Sequence, residues 1–442
     1  MQFDSFGSPT TTENPEALAG INDFAEGLVA YHPRSANVLA VADAHPESAL
    51  ANICAGIHSM LLENTQAPRN SLRYIQRAEV SVQMNRREKG LLSMLKAWQN
   101  YDFRQVRSIA DSLVGEYRYD LTTLKIAQYH AFNAGDAEHM LRLALSGLRK
   151  NAHQAPVHSM VAFGYEESNL LDQSERAAYD ALAIDAAEPW AHHALAHVHI
   201  GRGTTREGLR ILNYSSSSWL HLNSFMFTHN WWHVALFELA HGDLDSALSV
   251  YDERCWGVQP DFSQDQIGAV SLLARLELAG VYVGDRWEKL LPYLQKRSSD
   301  VTHPFLSLQY LYGLARADAT AADELMQSIE KQADSPTVLQ HRELWLGVGI
   351  PTARGLLAHA RGDYETAVRQ LSQIRKHLWR IGGSHAQRDL FEQLLLDARL
   401  RAGHWQDARE SLEERLRLES ESPILLRRLN DVYAKLDAHT QN

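Results

Sequence analysis

The chain has 442 residues, 45% of them hydrophobic and 22% charged, with a formal net charge of −11. No basic stripe offsets that acidity, which argues against a nucleic-acid partner. Cys54 and Cys255, the two cysteines, are too few for a disulfide framework or a thiolate metal site and suit a reducing compartment.

The first residues, Met1 to about 15, are rich in Thr, Ser and Pro and lack the basic and apolar regions of a signal peptide, so they are expected to form a mobile arm. From about residue 16 to 436, apolar residues recur at three- and four-residue spacing, as in Leu91, Leu92, Leu95 and Trp98. That is helical periodicity, and it predicts an all-α chain with a short mobile tail over 437–442. The longest apolar run, Ile267 to Val283, is broken by Arg275 and Glu277 and so does not make a membrane span. The expected location is cytoplasmic.

Within this helical stretch a turn recurs. It reads Gly242-Asp243-Leu244-Asp245-Ser246-Ala247, then Gly362-Asp363-Tyr364-Glu365-Thr366-Ala367, then Gly403-His404-Trp405-Gln406-Asp407-Ala408. Looser copies begin at Tyr101, Gly135, Asn169 and Gly203, about 34 residues apart, which is the tetratricopeptide period. Later turns, at Gly242, Gly284, Ala317, Gly362 and Gly403, are spaced more widely. A glycine ends one helix in a left-handed conformation, and a small residue five positions on lets the next helix approach closely. The pattern predicts one tetratricopeptide-like superhelical solenoid of about ten helical hairpins. The segment Tyr214-Ser-Ser-Ser-Ser-Trp219 interrupts the period as a surface loop or a lid over a groove.

Histidines are dense between residues 192 and 241. His193 and His197 form one i, i+4 pair and His229 and His233 another, each on one face of a helix. Counting from the turn glycines Gly203 and Gly242, both pairs fall on helix positions that line the concave groove of such repeats, as does Trp232, with Asn230 between. His192 and His199 fall on positions buried between helices. The converging imidazoles are open to three readings: a hydrogen-bonded groove wall, ligands for a divalent transition metal such as zinc or iron, or general acid–base and ligand-anchoring groups.

A second motif is Gly382-Gly-Ser-His-Ala-Gln-Arg-Asp389. Ser384 and Gln387 have the spacing of a capping box. His385 and Asp389, at i, i+4, are placed to pair, and Arg388 near a helix start is placed to receive an anionic group. Ala162-Phe-Gly-Tyr-Glu-Glu167, Trp190 to Val198, His229-Asn-Trp-Trp-His233 and Gly382 to Asp389 occur in this order. Together they resemble the tetratricopeptide repeat protein 38 family over residues 20 to 435. The resemblance implies a fold and a site rather than a reaction: His193, His197, His229, His233 and His385 would share an interior cavity, with Gln387, Arg388 and Asp389 at its edge. Two functions follow as expectations. One is binding of a small or partly aromatic ligand, or a peptide, in the concave groove. The other is hydrolase- or lyase-like catalysis by the clustered histidines.

Overall fold

The recurring Gly–Asp dipeptide performs two local tasks. In a computed structural model that describes residues 2–81, 83–334 and 339–440, Gly135, Gly203, Gly242, Gly362 and Gly403 all have φ between 68° and 80°, and Tyr101 and Asn169 adopt the same left-handed conformation. The chain then closes the helix end. Asp136 N–H donates to the Ala131 carbonyl, Asp243 N–H to Glu238 and Asp363 N–H to Ala358, the six-residue closure that satisfies otherwise orphaned carbonyls. The same aspartates open the next helix: Asp136 accepts from His139 N–H, Asp243 from Ser246 and Asp363 from Thr366. One dipeptide thus caps the helices on both sides of each turn. The turn expected at Ala317 is built differently, with Asp318 in extended backbone.

The small residue five positions on is required by packing. Ala247, Ala367 and Ala408 are fully buried. At Gly208 a Cβ would stand 2.5 Å from the Phe237 ring and 2.9 Å from His199 Cβ.

The described residues are predominantly helical, with one two-stranded antiparallel ribbon, Gln2–Phe3 with Pro9–Thr10. Consecutive helices pack on one another, for instance Ala155–Glu167 on Leu171–Ile184 and Ile350–Ala360 on Tyr364–Ile374. No described helix is long and apolar enough to cross a membrane. The chain divides into two compact units. The first comprises Met1–Leu195 with Ser217–Met226, the second Ala196–Ser216 with Phe227–Asn442.

In the first unit, residues 2–14, read above as a mobile arm, are pinned. Asp4 and Asp120 flank the Arg87 guanidinium at 3.0 and 2.7 Å, and all three side chains are buried. Thr11 donates twice to Glu88, whose carboxylate also completes the Asn85 capping box. Burial and helix boundaries are both local matters, but the Asp4–Arg87 pairing joins distant segments, which a composition-based reading does not detect. Within the serine-rich segment, Trp219 is buried and its Nε1 donates to His192 Nδ1 at 3.2 Å.

Within the second unit the last helices pack against its own segment 203–206. Gly203, at φ 68°, leaves room for the Leu418 carbonyl, which an added Cβ would meet at 1.7 Å. Arg206 and Glu421 stand 3.5 Å apart. The tail expected from residue 437 is helical to Thr440, the end of Pro423–Thr440; residues 441 and 442 lie outside the described residues.

Candidate functional site

Four of the five histidines singled out above lie in the second unit. His197 is carried by the helix Pro189–Arg202, His229 and His233 by Ser224–His241, and His385 opens His385–Ala402. The His197 and His233 rings are 4.7 Å apart between centroids, His229 and His233 are 4.9 Å apart, and His385 stands perpendicular to His197 at 5.1 Å. His197, His229 and His233 each offer a ring nitrogen within 4.8 Å of the others. One-turn spacing on a helix brings His229 beside His233; the packing of two helices brings His197 to both.

This cluster is electrostatically unusual. Burial, helped by the charge of Arg388, pulls His197 down to about 3. Burial and then His197 pull His229 to about 3, and burial drives His233 well below the ordinary imidazole range. The three rings are therefore neutral at physiological pH, which is the state in which imidazole nitrogens bind metals.

The other expected residues divide by role. Trp232 is buried, 2% exposed, and stacks on His229 at 5.3 Å with an 8° interplanar angle. Its Nε1 has no hydrogen-bond partner among the described residues. Asn230 is fully buried. Ser384 and Gln387 form the capping box in full: Ser384 Oγ accepts from Gln387 N–H and Gln387 Oε1 from Ser384 N–H. Arg388 donates to the carbonyls of Gly382 and Gly383. Asp389 differs from expectation. Its carboxylate is held by Arg415 at 2.6 and 3.1 Å and by Gln393 at 2.7 Å, so a guanidinium rather than the His385 ring is its bidentate partner. Burial alone would raise this carboxyl, but Arg415 overrides it and holds Asp389 well below the usual carboxylate range.

Beside the imidazoles the second unit has a cavity of about 520 Å³. His385, which abuts His197, is part of its wall, together with leucines and isoleucines, five arginines and three acidic residues. The acids are already paired: Asp389 and Glu419 with Arg415, Glu392 with Arg375. Arg275 also connects the cavity to the cluster, with its guanidinium 5.3 Å from the Trp232 ring. Sequence reading singled out Arg388 among these arginines and missed the other four as site residues. The available signal was Arg275 itself, one of two charges inside the longest apolar run.

His193, the fifth histidine, belongs to the first unit, where it stacks on Trp190 at 4.1 Å and meets Phe163 at 5.2 Å. Next to it is a second titratable group that the sequence reading did not single out. Lys125 Nζ hydrogen-bonds with Tyr31 Oη at 2.5 Å and lies 4.5 Å from the Trp190 ring. Burial pulls Lys125 down to about 7, against the nearby Glu188 charge. His192 and His199 are both buried, as their register predicted. No known family model matches the chain.

Proposed function

We propose that the second unit holds a divalent transition metal, zinc or iron, on His197, His229 and His233, and that this centre acts on a small molecule in hydrolase- or lyase-like chemistry. The observation that carries the reading is the convergence of three neutral imidazole rings from two helices, with nitrogens within 4.8 Å of one another. Imidazole ligands without thiolates are the donor type of catalytic rather than structural zinc. A metal there would polarise a carbonyl or phosphoryl oxygen, or acidify a bound water. His385, in contact with His197 and in the cavity wall, is positioned to carry a proton between the two.

Elemental analysis of the purified full chain tests this. The expected result is close to one equivalent of zinc or iron per chain, lost in both His197→Ala and His229→Ala while helical content is retained. Wild-type protein that stays metal-free after expression in zinc- and iron-supplemented medium overturns the reading.

One observation favours a second reading, a metal-free ligand groove. Among the described residues the buried Trp232 Nε1 has no acceptor, and an indole N–H in that state suits an aromatic or polar ligand. Under this reading metal is absent and ligand binding perturbs tryptophan fluorescence. The tetratricopeptide-like organisation belongs to the same proposal. It is supported by the left-handed turns at 101, 135, 169 and 203, about one repeat length apart.

A further inference from the structure

Arg275 is 3% exposed, in the helix Ser263–Leu278. Its guanidinium donates to the Ala386 carbonyl at 2.8 Å and to the carbonyl and hydroxyl of Ser271. Among the described residues no carboxylate lies within ion-pair distance of it. The acid that acts on it electrostatically, Asp389, is in a bidentate pair with Arg415. Burial accordingly pulls Arg275 down to about 10, a large displacement for a guanidinium.

An uncompensated buried cation is strongly disfavoured unless something neutralises it. Two features place that neutralising group in the cavity. Arg275 lines it, and so does Arg428, which donates to the Leu278 carbonyl and also lacks an ion-pair partner among the described residues. The three acids of the wall are occupied by Arg375 and Arg415. The volume, about 520 Å³, is that of a small-molecule pocket, and leucines such as Leu236, Leu278 and Leu425 supply an apolar wall.

We infer that the cavity is an anion site, in which Arg275 and Arg428 receive the carboxylate or phosphate group of a small organic anion whose apolar portion lies against the leucines. Guanidinium groups match both oxyanions in geometry. The site stands on the arginines and the cavity alone and does not depend on metal at the histidines.

Thermal unfolding of the full chain tests it, with inorganic phosphate, octanoate and, at equal ionic strength, chloride as additives. Phosphate or octanoate is expected to raise Tm saturably by several degrees over chloride, and which of them does so identifies the head group. The shift is expected to vanish in Arg275→Met and to shrink in Arg428→Gln, a half-buried position whose replacement leaves the helix intact. The inference is overturned if neither anion exceeds chloride, or if both variants keep the full shift. Metal content, measured in the same samples, separates this outcome from the fate of the histidine centre.

Discussion

Two buried arginines separate the roles of the two units. Arg87 and Arg275 are equally buried, at 3% exposure, each on a helix of its own unit. Arg87 has two carboxylates within 3.0 Å, and although burial works against its charge, Asp120 outweighs that and holds it firmly protonated. Arg275 has carbonyls and a hydroxyl instead. A compensated buried charge is a structural tie: it fastens residues 2–14 to the body of the first unit. An uncompensated one, in the wall of a cavity, is poised for an external anion. Burial alone does not distinguish the two; the inventory of counter-charges does.

Substitution at the two arginines gives the largest expected effect. Arg87→Met strands Asp4 and Asp120 as buried, unpaired carboxyls and is expected to destabilise the protein by about 3–5 kcal/mol. Arg275→Met removes hydrogen bonds but also an uncompensated charge, so its expected loss is well below that. Urea unfolding of both variants measures the difference, and equal losses would dissolve the contrast drawn above.

Acid is expected to have the next largest effect. His197 and His229 lie near 3 and His58 and His192 near 4, all displaced downward from 6.5. Below pH 6.5 the unfolded chain takes up protons at these rings while the folded chain does not. The stability they confer is therefore complete above 6.5 and is lost as pH falls toward 4. The urea midpoint of the metal-free protein is expected to drop between about pH 7.5 and about pH 5; an unchanged midpoint would mean that the imidazoles are not held neutral by burial.

The smallest expected effect is local. At the Asn169 turn, Leu170 stands where the Tyr101, Gly135, Gly242 and Gly362 turns have aspartate, is 39% exposed, and makes no side-chain cap. Leu170→Asp is expected to stabilise the chain by about 0.5–1 kcal/mol, read from the same unfolding curves. A loss there would mean that the aspartates are not what makes the Gly–Asp turns stable.

The legibility of this protein follows the range of its interactions. Gly-Asp turns, the Ser384–Gln387 box and the buried positions of His192 and His199 were all readable, because each depends on residues within one or two helical turns. The i, i+4 spacing of His229 and His233 was readable for the same reason. The site was only half readable. Pairing His385 with Asp389 was sound as helix geometry, yet Asp389 binds Arg415, 26 residues away, because a bidentate guanidinium outcompetes an imidazole for a carboxylate.

The sequence alone determined helices, their ends and the small residues between them, since backbone hydrogen bonds and capping are satisfied within a few residues of where they arise. Only the tertiary structure decided which charges are compensated, which imidazoles meet, and where a cavity remains. Those depend on which distant side chains arrive at the same buried point, and desolvation there amplifies every match and mismatch of charge.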